Sequence, residues 1–137
     1  MSREANIAAQ EHLAESLNAG DIDSAVESFA EDAVDHDPAP DQGPGRQGFK
    51  EFFEALTSAF PDAHIAAEHL VADDDNVAVA YTLTGTHEGD FNGIAPTGRK
   101  IEIRGLQIGR FEDGRIVERW GSSDELGILQ QLDAAPA

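Results

Sequence analysis

Three features of this 137-residue chain predict an α+β fold, with helices packed on one face of a curved antiparallel sheet. Apolar residues recur at helical spacing through about the first sixty residues. Strand-like alternation takes over from His64. The stretch Arg99 to Trp120, RKIEIRGLQIGRFEDGRIVERW, then has the form of a β-hairpin.

Residues 3 to 19 read as the first helix, with Ser2 as its cap, Ile7, Leu13, Ala14 and Leu17 near one face, and Gly20 at its end. A shorter helix follows, capped by Asp21 or Asp23, its buried stripe being Ile22, Ala25, Val26 and Phe29. Ala33 to Asp37 is expected to be extended, because Pro38 disfavours helix in the residue before it. The run Asp37 to Gly48, DPAPDQGPGRQG, is a loop by its proline and glycine density. The third helix, about Gln47 to Ala59, carries an aromatic stripe of Phe49, Phe52, Phe53, Leu56 and Phe60, whose simplest role is core. Ile65 to Ala72 and Val77 to Thr86 read as strands joined by the acidic turn Asp73-Asp74-Asp75-Asn76. In the second strand Val77, Val79, Tyr81, Leu83 and Gly85 share the core face. Gly89 to Gly98 is a loop leading into the hairpin. Asp124 is expected to cap a last helix with Leu126, Leu129 and Leu132, before the small-residue tail Ala134 to Ala137.

The hairpin admits two registers. A two-residue Asp113-Gly114 turn sets Gln107 opposite Trp120. A three-residue loop with a bulge sets Arg110 opposite Glu118 and Ile108 opposite Trp120, pairing opposite charges and apolar residues. The second is preferred. It places Gly105, Gln107, Gly109, Phe111, Val117, Arg119, Gly121 and Ser123 on one face, where three glycines around one amide leave either a concavity or room for close packing.

Length and 40% hydrophobic content fit one domain spanning residues 1–137. No apolar run approaches the roughly eighteen residues of a membrane span, and no signal-peptide pattern is present, so the expected address is cytoplasmic. The absence of cysteine excludes disulfides and thiolate chemistry. A net charge of −18, from 27 acidic and 9 basic residues, argues against nucleic acid and anionic membranes as partners.

No nucleotide loop or nucleophile elbow occurs, so candidate chemistry rests on acid, base and amide groups. Asp35-His36-Asp37 is the densest titratable cluster, and alternation sends the two aspartates to one face and His36 to the other. A metal is not expected there, since the partner histidines of a transition-metal site are missing. Solvated surface charge is the plainer reading of the cluster. His87, beside Glu88 at a strand end, has the chemistry of a general base near neutrality, or of a loop histidine bonded to backbone. His12, His64 and His69 show no partner pattern. Trp120 is a candidate to line a cavity, although large aromatics at strand centres are usually core.

The runs GTHEGDFNGIAPTGRKIEIRG and RFEDGRIVERWGSSDELGILQQL, with the earlier GRQGFKEFFEALTSAFPD, resemble the SnoaL-like polyketide cyclase (ester cyclase) family over about residues 5 to 132. The resemblance implies the nuclear-transport-factor-like fold: a cone-shaped half barrel of curved sheet, three N-terminal helices on its concave face, a deep apolar pocket, and often a homodimer formed through the sheet. It also implies an intramolecular aldol ring closure on a polyketide methyl ester, with no metal or cofactor, by an aspartate with a histidine, a glutamine and an asparagine. Here Gly121 stands at the aspartate position, Gln107 at the histidine, Gly105 at the glutamine and Asp35 at the asparagine. The pocket is thus expected to be kept while the acid/base group has changed.

Two readings follow. In one, the chain is an enzyme on a small apolar carbonyl or ester compound, with Asp35 as base, His36 or His87 assisting, Gln107 donating to an enolate oxygen, and Trp120, Tyr81, Phe53 and Arg119 lining the substrate pocket. The role calls for a carboxylate in apolar surroundings. In the other, it is a non-catalytic small-molecule-binding or dimerising relative, which the glycine at position 121 favours.

So acidic and lysine-poor a surface, with only Lys50 and Lys100, is the kind used by proteins of salt-loving organisms, where ions screen the self-repulsion. The melting temperature is therefore expected to rise between low and molar KCl. A scan showing no rise would mark an ordinary acidic protein.

Overall fold

A computed structural model describes residues 2–134; positions 135–137 of the expected tail lie outside the described residues. The elements run α1 (Arg3–Asn18), α2 (Ile22–Val26), β1 (Phe29–Asp35), α3 (Gly45–Ala59), β2 (His64–Ala72), β3 (Asn76–Thr86), β4 (Lys100–Glu112), β5 (Arg115–Ser123) and α4 (Glu125–Gln131). The five strands form one curved, unclosed sheet in the order β1-β5-β4-β3-β2. All neighbours are antiparallel except β1 and β5, which run parallel. The helices pack on the concave side, as the cone-shaped α+β fold requires.

The caps are the expected ones. Ser2 Oγ accepts from Ala5 N, Asp21 Oδ1 from Ser24 N and Asp124 Oδ1 from Gly127 N, each satisfying a donor that a helix start leaves free. Two local expectations change. The buried face of α1 is Asn6, Gln10, Leu13, Ser16 and Leu17, so polar side chains rather than Ile7 face the sheet near its start. Phe29 is not in α2 but opens β1, where its ring stacks on Phe49 of α3 at 4.0 Å between centroids and meets Phe53 at 6.1 Å. These rings, with Leu13, Leu17, Val77, Phe111 and Ile116, form the larger core cluster. Burial of each such phenylalanine contributes about 2–3 kcal/mol. A second cluster of Phe60, Leu83, Ile101, Ile103, Ile128 and Leu132 lets α4 close the other end of the sheet.

In the hairpin the expected pairs are present: Arg110 lies opposite Glu118, Ile108 opposite Trp120 and Gln107 opposite Gly121. Their origin differs from the expected three-residue loop. Asp113 and Gly114 both have positive φ, 52° and 76°, and form a two-residue turn closed by the Glu112–Arg115 pair. The extra residue sits further in. Phe111 pairs with Ile116 while Arg110 pairs with Glu118, leaving Val117 as the bulge. Ile116, rather than Val117, therefore joins Phe111 on the concave face, where both are fully buried.

The turn from α3 into β2 is tied to the end of β3 through Asp62, whose Oδ1 accepts from Thr86 N at 2.7 Å and Oδ2 from Thr86 Oγ1 at 2.8 Å. The Thr86 backbone N–H first, then its hydroxyl, hold the Asp62 carboxyl below the usual range. A depressed carboxyl stabilises the fold above its unfolded value of about 3.9, and that contribution is lost as pH falls through the lower folded value. Thr86→Val, which removes the hydroxyl bond and keeps the backbone N–H, should therefore lower the urea midpoint at neutral pH, with a smaller gap from wild type at a pH below the unfolded value of about 3.9. Equal gaps at both pH values would refute the linkage.

Candidate functional site

Because β1 runs parallel to β5 with Asp35 beside Arg119, the two side chains emerge on the same, concave face. Arg119 Nη1 lies 3.2 Å from Asp35 Oδ1, and the side chains are only 16% and 8% exposed respectively. Asp35 Oδ1 also accepts from Asp37 N, and Oδ2 accepts from Gln42 Nε2, both at 3.0 Å. Arg119 Nε donates to Gln107 Oε1 at 3.2 Å, while Gly121 N donates to Asp37 Oδ2 at 2.9 Å. One connected array thus joins Asp35, Asp37, Gln42, Gln107, Arg119 and the Gly121 backbone. A pair this shielded is costly to break from one side, about 3–5 kcal/mol, because the remaining charge is left without a partner.

The array corrects one expectation. Asp35 is not a carboxylate isolated in apolar surroundings, because the guanidinium and two N–H donors meet it. Gln42, from the proline- and glycine-rich loop, was not legible in the sequence, since a loop residue carries no periodicity that points inward. The glycines beside Gln107 have a packing role. A Cβ on Gly105 would overlap the Tyr81 phenol, and one on Gly121 would overlap the Arg119 guanidinium.

Several expected partners lie elsewhere. His36 is on the convex face, as alternation requires, stacked on Trp120 at 4.7 Å with an interplanar angle of 9°. Its Nε2 is 3.2 Å from Glu118 Oε1. The sheet therefore separates both His36 and Trp120 from Asp35. Glu118 is held below the usual carboxylate range by the Arg110 hydrogen bond first and the His36 bond second.

His87 is fully buried beside Phe60 and is not near Asp35. It stands eight residues beyond Val79, the partner of Gln107, which is about 26 Å along the strand. Thr97 N donates to its Nδ1 at 3.2 Å, so the ring pins the loop that precedes β4. Phe53 belongs to the aromatic core rather than to a ligand wall. Tyr81 does face the concave side, opposite Gly105. Burial pushes its phenol up, opposed in part by the charge of Arg119.

Asp35 also opens onto a cleft of about 610 Å³ between β1 and the loop into α3, lined by Glu31, Asp32, Val34, Pro38, Gln42 and Pro44 among others. The cleft is open to solvent, unlike the deep pocket expected, and sets Glu31, Asp32 and Asp35 among mostly apolar walls. Among the described residues no group of three histidine, aspartate or glutamate side chains is placed to hold a metal ion. No helix among them is long and apolar enough to cross a membrane.

The model of the SnoaL-like polyketide cyclase family matches residues 7–132. Solved structures resemble the whole chain. IdmH of Streptomyces antibioticus, a proposed polyketide cyclase, is 34% identical with a TM-score of 0.80, over 93% of this chain and 98% of its own. AclR of Streptomyces galilaeus, a proposed hydroxylase, is 27% identical with a TM-score of 0.87, over 98% and 100%. TsrD of Streptomyces laurentii is 25% identical with a TM-score of 0.89, over 98% of each chain. No curated protein matches.

Proposed function

The chain belongs to the SnoaL-like polyketide cyclase family, and from that premise we propose that it is an acid/base enzyme of cyclase, isomerase or hydrolase type on an enolisable polyketide-like ester or carbonyl compound. The observation that carries this reading is the inward-facing Asp35 carboxylate, linked through Arg119 to Gln107. Asp35 accepts from Asp37 N and Gln42 Nε2 at 3.0 Å and from Arg119 Nη1 at 3.2 Å on Oδ1, whereas Nη1 reaches Oδ2 only at 3.5 Å. That long contact is the one a substrate C–H or O–H proton would displace. Arg119 bonds Gln107 through Oε1, which leaves Nε2 as a donor for the oxygen on which charge develops when that proton leaves. His36 and His87 have no part in this version of the chemistry.

The second reading, a binding module without catalysis, draws on Gly121, which puts no carboxylate at the position where the family's cyclases have one. It draws also on the partners that already surround Asp35.

The assembly proposed with either reading is a homodimer through the convex face of the sheet. That face exposes Val71 (54%), Leu106 (62%), Ile108 (44%) and Trp120 (36%), a continuous apolar patch in an otherwise charged surface. A net charge of −18 leaves nucleic acid and anionic membranes outside the proposed partners.

Two measurements test these proposals. In molar KCl, a panel of enolisable polyketide-like methyl esters should be turned over by the wild type. Asp35→Asn, folded by circular dichroism, should then lose about a hundredfold or more in rate, the scale of general-base catalysis. Turnover equal in both proteins removes Asp35 as base, and none in either shifts the weight to binding. Separately, light scattering should find a dimer that Leu106→Asp converts to monomer; a monomeric wild type ends the dimer proposal.

A further inference from the structure

Two glycines on the concave face let other side chains lie flat against the strands. Tyr81 crosses Gly105, with its ring end and Oη where a β-carbon would be, and the Arg119 guanidinium crosses Gly121, with Nη2 nearest. Gln107 stands between them, two residues from Gly105 on β4 and directly opposite Gly121 on β5. Three donor groups are thereby collected over adjacent positions of one face.

Their bonding is incomplete in a consistent way. Arg119 uses Nε on Gln107 and Nη1 on Asp35 and the Asp37 carbonyl, while Nη2 donates to no group among the described residues. Gln107 accepts through Oε1, and its Nε2 donates to none of them either. Tyr81 Oη makes no hydrogen bond to any described residue, although the side chain is half-buried and within reach of the Arg119 field. None of these three atoms is cut off from solvent, so water meets the donors until a ligand oxygen displaces it. Burial also keeps the phenol in its protonated, donating form.

We propose that Tyr81 Oη, Arg119 Nη2 and the Gln107 side-chain amide together bind the delocalised oxyanion of an enolate ligand, and that Tyr81 determines the preference for this anion over its neutral form. The assignment rests on the acid/base reading above and adds to it the groups that receive the charge. The enolate of a 1,3-dicarbonyl compound spreads its charge over two oxygens, which matches donors distributed over neighbouring strand positions rather than focused on one point. Hydrogen bonds to a charged oxygen are roughly twice as strong as those to a neutral one, so the same three donors discriminate by charge. Gly105 and Gly121 are what make the arrangement possible, since a side chain at either position displaces one of the donors.

The test uses 1,3-cyclohexanedione, which is an enolate at neutral pH, and its neutral O-methyl enol ether, each titrated calorimetrically into the full chain in molar KCl. The enolate should bind at least about tenfold more tightly than the ether, and Tyr81→Phe and Arg119→Lys should each lose about tenfold for the enolate alone. Tyr81 is the sole tyrosine, so the pH at which tyrosinate absorbance appears reports it directly, and bound enolate should raise that pH. Equal binding of enolate and ether overturns the proposal. So does wild-type affinity in Tyr81→Phe, even if ester turnover is lost in Asp35→Asn and the base assignment stands. Tight, Tyr81-dependent enolate binding without turnover by the wild type upholds the donor site and removes the catalytic reading instead.

Discussion

The unpaired residue at Val117 governs which way every later residue of β5 faces. Strand side chains alternate with a period of two, so one extra residue exchanges the two faces from that point on. With the bulge, Ile116 fills the core against Phe111, while Arg119 and Gly121 face inward and Glu118 and Trp120 face outward. Without it, Arg110 would lose its place opposite Glu118, and Trp120 would be driven into the concave side. The register with β1 has its own shift between Phe29 and Val34, beyond which Asp35 comes to lie beside Arg119.

From that register follows the character of the inner face. An arginine turned inward in a partly buried place needs a carboxylate, and Asp35 on the parallel neighbour supplies it. The pair then organises its surroundings: Gln107 is oriented by Arg119, Gln42 and Asp37 by Asp35, and the Gly121 backbone by Asp37. A fixed polar network of this kind is the pre-organisation that acid/base chemistry relies on, and equally what gives a binding site its selectivity. The family supplies the fold, while the groups on its inner face are this chain's own.

Much of the fold was legible because its signals are local. Ser2 and Asp124 cap the helices they precede, and of the two candidates Asp21 and Asp23 it is Asp21 that caps α2, while the phenylalanine stripe of α3 lies in the core as its period demands. The alternation of β3 placed Tyr81 inside, and that of Asp35-His36-Asp37 parted His36 from the two aspartates. Charge and apolar pairing across the hairpin identified the right register even though the turn itself is shorter than expected, because side-chain pairing reports the register however the extra residue is accommodated. Long-range partners were less accessible. His87 and Trp120 carry suitable chemistry, but residue type does not say which end or which face of a sheet a side chain reaches. Gln42 gave no signal at all.

The α+β order, the helix caps, the alternating faces and the acidic, cysteine-free character of the chain are all encoded locally, since each depends on residues close together along it or on composition alone. That β1 adds to β5 in parallel, that the bulge falls at Val117, and that Asp35, Arg119, Gln107 and Gln42 share one network emerges from the folded molecule instead. Those choices are settled by packing between segments as far as 84 residues apart. Neither periodicity nor propensity extends over such a separation, because both describe only a residue's immediate neighbours in the chain.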